Sequence, residues 1–147
     1  MKTDSFLYLA SPYNHETARM RSLRAKSTAR VTGHLLRQGI CVFSPIIHNH
    51  QLKISGALKE WTHRDYIAYD FSFTRVASGI LVCKLPGWKT SKGILQEVED
   101  FRNQHKPEFH YDPRPLFTTQ EWADLGGMTL HTEVKPGEMA VENLPEV

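Results

Sequence analysis

The chain has 147 residues, 40% hydrophobic, 23% charged and 10% aromatic, with a net charge of +2. This composition describes one globular domain and excludes a disordered, fibrous or collagen-like chain. No apolar run approaches the roughly 18 residues of a membrane span, and the two cysteines make no disulfide framework.

The N-terminal MKTDSFLYLASPY has too short an apolar core for a signal peptide, and a strand explains it better. Both cysteines lie in apolar runs, at 40–43 and 81–83, and read as reduced, buried thiols of a cytosolic protein. The net charge conceals a segregation: residues 1–40 carry +5, residues 41–93 carry +4 and residues 94–147 carry −7. An anionic ligand held by the N-terminal part fits this pattern, and so do two solvated faces.

Residues 5–10 (SFLYLA) read as a first buried strand, ended by Ser11-Pro12. Residues 15–38 have helical spacing, with Met20, Leu23, Ser27, Val31 and Leu35 on one stripe and Gly39 as the stop. Residues 40–44 (ICVFS) form a second strand that Pro45 ends, and residues 46–57 read as loop. A helix is expected over 58–76, and the strongest strand of the chain, GILVCKL, over 79–85. Residues 91–105 form a helix with Ile94, Leu95, Val98 and Phe101 on one side, and residues 108–111 a last strand. A short helix over 119–125 follows, capped by Thr118 or Thr119 and stopped by Gly126. From His131 onward the chain is acidic and poor in large apolar residues, so a mobile tail or a segment packed on a neighbouring subunit is expected.

Strands alternating with helices predict an α/β fold with a parallel sheet. Ligands bind such sheets at the strand C-terminal edge, which points to residues 11–13, 44–50 and 86–97. In the last of these, Ser91 can cap a helix whose free N–H groups favour an anion, and Gly93 permits close approach. Glu97 then faces either the strand end or solvent. A capped helix with a surface glutamate is the plainer alternative, and the Walker A pattern is absent.

Asp65 and Asp70 share a helix with Trp61 and His63 nearby, which also describes a solvated face beside a core tryptophan. His48-Asn49-His50 lacks further ligands at metal spacing, so polar histidines beside a ligand fit better than a metal. Arg19, Arg21, Arg24, Lys26, Arg30 and Arg37 make the first helix basic. A phosphate needs one or two of them, and most fit a solvated face. No helix-turn-helix or aromatic RNA-binding pattern supports a nucleic-acid partner.

Taken together, FLYLASPY, LLRQGI, VFSPIIHNH, the W-x-x-x-D from Trp61 to Asp65, and ILVCKLPGWKTSKGILQEVE resemble the nucleoside 2-deoxyribosyltransferase-like proteins. YLASPY and LPGW-x-x-S-x-G-x-x-x-E are signatures of a small branch often found in phages and bacteria. The resemblance covers residues 6–112 and implies two parts: a domain over 1–112 and a C-terminal appendage over 113–147.

The resemblance also implies a flavodoxin-like, Rossmann-like three-layer sandwich around a mainly parallel five-stranded sheet. It implies cleavage of the N-glycosidic bond of a deoxynucleoside or its 5′-monophosphate, by hydrolysis or base exchange. Glu97 would attack the anomeric carbon, Tyr8 would orient it, and Asp70 would engage the base or sugar. Ser78 stands where relatives often carry Asp.

Ser91 with Gly93, and Ser11 with Pro12, would hold phosphate, helped by Arg19 or Arg21. Trp88 or Tyr13 would cover the base, with His48 and His50 as polar neighbours. No cofactor and no metal are implied. The basic N-terminal half favours a 5′-phosphate and hydrolysis. Non-catalytic nucleotide binding on the same fold is the alternative. A homo-oligomer is expected, in the cytoplasm, or the host cytoplasm for a phage-encoded chain, with no membrane or nucleic-acid partner.

Overall fold

A computed structural model describes residues 1 and 3–128. The elements are β1 (Leu7–Ala10), α1 (Ala18–Arg37), β2 (Val42–Phe43), α2 (Pro45–Ser55), α3 (His63–Val76), β3 (Gly79–Cys83), α4 (Lys92–Asn103), β4 (Glu108–Tyr111) and α5 (Thr119–Asp124). All pairings are parallel, in the order β2-β1-β3-β4. The sheet has four strands among the described residues, where the resemblance implied five. The residues themselves offer only four strand-like runs before 113, and each of these forms.

The period of two along each strand builds the two cores. Leu7 and Leu9 of β1 and Leu81 and Cys83 of β3 face one side, where they bury Val31 and Leu35 of α1 with Trp122 and Leu125. Tyr8, Ala10, Ile80 and Val82 face the other side, against Ile94, Val98 and Phe101 of α4 and Phe73 of α3. The result is a three-layer α/β/α sandwich. Each fully buried Leu, Ile or Phe contributes about 1.5–3 kcal/mol, so both faces anchor the loops at the strand ends. Leu95, expected on the buried stripe of α4, is 59% exposed, because a position one residue after Ile94 turns away from the sheet.

Two boundaries differ from the expectation. Residues 45–55 are a helix, not a loop: Ser44 caps it by accepting from the Ile47 N–H, Pro45 occupies its first turn, and Gly56 ends it at a φ of +72°. A proline that stops a strand therefore also starts a helix. The next helix begins at His63 rather than at 58, because Asp65 accepts from the Thr62 N–H and hydroxyl at 2.8 and 3.0 Å. The aspartate of W-x-x-x-D is thus a capping group.

The segment after 112 packs against the domain as far as it is described. Arg30 reaches from α1 to Glu121 at 2.7 Å, and Trp122 and Leu125 are buried. The acidic run from His131 onward lies outside the described residues. Among the described residues no helix is long and apolar enough to cross a membrane.

Gly79 marks the tightest junction in the sheet. A Cβ there would sit 2.8 Å from the Pro107 carbonyl oxygen, the acceptor of the Ile80 N–H at 3.0 Å. Gly79→Ala is expected to cost about 1–3 kcal/mol through this backbone clash. Thermal unfolding checks it, and an unchanged midpoint would mean that β4 moves aside freely.

Candidate active site

In the order β2-β1-β3-β4 the crossovers from β1 and to β3 run to opposite sides of β1, and a crevice opens beyond the C-terminal ends of these two strands. A cleft of about 330 Å³ occupies that crevice. Ser11, Tyr13 and Asn14 follow β1, residues 87–93 follow β3, and α2 and α3 supply the opposite wall.

Glu97 and Asp70 both line the cleft, from α4 and α3. Burial raises the Glu97 pKa to about 8, and the Asp70 and Asp100 carboxylates push in the same direction. The Tyr8 hydroxyl opposes them. It lies against Glu97 from the floor of the sheet, buried and without a hydrogen-bond partner of full geometry among the described residues. Burial, Glu97 and Asp70 hold that phenol far above its ordinary range. Burial raises Asp70 as well, against the stabilising pull of Asn49 and Lys53. Asn49 Nδ2 donates to Asp70 Oδ1 at 2.7 Å.

Basic and polar groups line the same cleft. Ser91 caps α4 by accepting from the Ile94 N–H at 3.3 Å, and Ser91, Lys92 and Gly93 line the cleft at this helix start. The orphan N–H groups of a helix's first turn suit an anion. Ser11 is buried and accepts from the Thr28 hydroxyl at 3.2 Å.

Arg24 reaches the same cleft from α1, donating from Nη1 to the Asn14 carbonyl at 2.6 Å while its buried Nε lacks a partner. Burial lowers its pKa, and no carboxylate pairs with it among the described residues. Gly87 makes room for it. Its φ is +95°, and a Cβ there would lie 2.6 Å from Arg24 Nη2. The glycine of LPGW thus seats an arginine of the first helix.

The remaining residues expected from the sequence sit differently. Tyr13 lines the cleft, and its hydroxyl meets His50 Nδ1 at 2.7 Å, so His50 positions Tyr13 from behind. Pro12 is buried at the turn after β1, beside Gly87. Arg19 is exposed on α1 and is not in the cleft wall. Arg21 donates to the His15 carbonyl and acts on Tyr13 and His50 through its charge. His48 is exposed and stacks on Tyr69, away from the cleft lining. Trp88 meets His110 edge to face at 5.7 Å and lines a separate, shallower depression, not the cleft that holds Glu97.

Sequence reasoning missed Arg24, Asn49, Lys53 and Tyr66. The Lys53 ammonium lies 4.7 Å from the Tyr13 ring centre and 4.5 Å from that of Tyr66. The signal was present, since Asn49 and Lys53 are one helical turn apart on a helix whose start is written Ser-Pro. Among the described residues, no group of three or more His, Cys, Asp or Glu side chains is placed to hold a metal ion.

Residues 5–113 match a family model described as "Domain of unknown function (DUF1937)". No curated protein matches the chain. The match spans most of the chain and runs from the strand that carries Tyr8 to the residues just after β4.

Proposed function

We propose that this chain, which belongs to the DUF1937 family, cleaves the N-glycosidic bond of a deoxynucleoside 5′-monophosphate on a flavodoxin-like scaffold. The observation that carries the reading is one cleft lined by both Glu97 and Asp70 and by Arg24 and the start of α4. This suits a substrate with an anionic end and a sugar carbon to be attacked.

In this reading the phosphate sits between Arg24, Ser11 and the α4 N-terminus, which fixes the sugar relative to Glu97. The Glu97 carboxylate attacks C1′ as the C1′–N bond breaks and its electron pair leaves with the base. Water then attacks C1′, releases the sugar phosphate and restores the carboxylate. Asp70, held by Asn49, orients the sugar or base. Tyr8, whose hydroxyl lies against Glu97, keeps the attacking oxygen aimed.

Incubation with each deoxynucleoside monophosphate, followed by chromatography for free base, tests the proposal. Release from at least one is expected; no release from any, with or without an acceptor base, would remove it. A second reading, nucleotide binding without chemistry, is favoured by the burial of Glu97, which raises its pKa to about 8 and favours the neutral acid over the attacking carboxylate. A thermal shift with nucleotide and no product would support it.

A further inference from the structure

The α2 face of the cleft holds two polar groups to which the reaction above gives no chemical task. Asn49 is 5% exposed, and its Nδ2 is committed to Asp70, which leaves Oδ1 as a buried acceptor without a partner. Lys53 lies one turn further along the same helix and also lines the cleft. Its ammonium lies over the rings of Tyr13 and Tyr66 while the rest of the side chain is exposed, and the partial loss of water around the ammonium lowers its pKa against the pull of Asp70. A buried acceptor and an ammonium on one helix face of the cleft suit a flat heterocycle with its own N–H and lone pairs. Tyr13 and Tyr66 supply aromatic surface there. The anion-holding groups Arg24 and Ser91 come from other elements, α1 and the loop before α4.

We infer that Lys53 is the acid that protonates the departing base, with Asn49 Oδ1 accepting from that base to hold it in place. The inference rests on the N-glycosidase reading. As the C1′–N bond breaks, its electron pair localises on the base. A proton passes from Lys53 Nζ to a base nitrogen, leaving a neutral amine that regains a proton from water. Glu97 meanwhile forms the bond to C1′. A base that leaves as an anion departs slowly, so this proton supplies a large part of the rate.

The test compares two leaving groups on the wild type, Lys53→Met and Glu97→Gln. One is the best natural deoxynucleoside monophosphate. The other is the 4-nitrophenyl 2-deoxyriboside 5-phosphate, whose phenolate leaves without taking up a proton. Lys53→Met, which keeps the apolar stem beside the two rings, is expected to lower kcat on the natural substrate about 100-fold, within the range for a lost general acid. Its turnover of the nitrophenyl substrate is expected to stay within a few-fold of wild type.

Glu97→Gln is expected to lose both activities. Equal losses on the two substrates in Lys53→Met would overturn the assignment and leave Lys53 a packing residue, as would unchanged turnover of the natural one. Failure of the wild type to release either leaving group would instead remove the N-glycosidase reading itself. Lys53→Arg, which keeps the charge but is too weak an acid to give up its proton, provides the check on folding. It is expected to unfold like wild type and to show the same selective loss, and full activity in it would also overturn the assignment.

Discussion

Glu97→Gln is expected to lower base release by at least about a thousandfold, because it removes the carboxylate that forms the bond to C1′. The nearest carboxylates, Asp70 and Asp100, act on Glu97 only through their charge, and Asp70 is bonded to Asn49. The variant keeps the volume of the side chain, and α4 remains capped by Ser91. Its stability should also differ in a direction that folding alone fixes. The native carboxyl keeps its proton up to about pH 8, while the unfolded one loses it near the ordinary 4.5. Between those values the native state binds the extra proton, so wild-type stability falls as pH rises through that window. Glu97→Gln does not undergo this loss. The variant should unfold at a higher temperature than wild type at pH 9, with the gap closing at pH 4. A parallel pH dependence in both proteins would show that Glu97 is not held in its neutral form.

Arg24→Met is expected to raise KM for a deoxynucleoside monophosphate about 100-fold, since charge-assisted hydrogen bonds to a phosphate are each worth about 1.5–3 kcal/mol. Turnover of the matching unphosphorylated deoxynucleoside should change little. The specificity for the phosphate is therefore the readout, and it separates anion binding from general damage to the loop. Lys26→Met, on the same basic helix but exposed, is the control and should leave both constants as they are. Equal losses on phosphorylated and unphosphorylated substrates in Arg24→Met would mean that the arginine only buttresses Gly87 and Asn14.

The sequence was most legible where a local rule and a long-range one coincide. The run from β3 through Ser91 to Glu97 announces a strand, a small-residue turn and a capped helix, and all three form. Both strand faces follow from alternation in FLYLA and GILVC. Other parts stayed hidden for physical reasons. Pro45 has one meaning for the strand it ends and another for the helix it begins, so Asn49 and Lys53 stood in what looked like a loop.

Arg24 could not be told from Arg19 or Arg30 by period alone. Its distinguishing neighbour, Gly87, lies far away in the chain and meets it only in the fold. His48 and Trp88 look chemically active in the sequence, yet their rings pack on Tyr69 and His110. The charge split also takes on a location. Arg24 and Lys53 bring the positive part of the chain to the cleft, and the negative part begins with the helix of Glu97.

The most direct test of the central claim is the pH dependence of kcat/KM for base release from the best monophosphate. A nucleophile must be ionised, so the Glu97 assignment predicts a rate that climbs with pH and levels off above about 8. The groups that face Glu97 are Tyr8, Asp70 and Asp100, and the Tyr8 phenol stays protonated throughout that range. The rising limb should also vanish in what activity Glu97→Gln retains. A rate that instead falls through pH 8 would make the Glu97 carboxyl a proton donor and contradict its role as the attacking group.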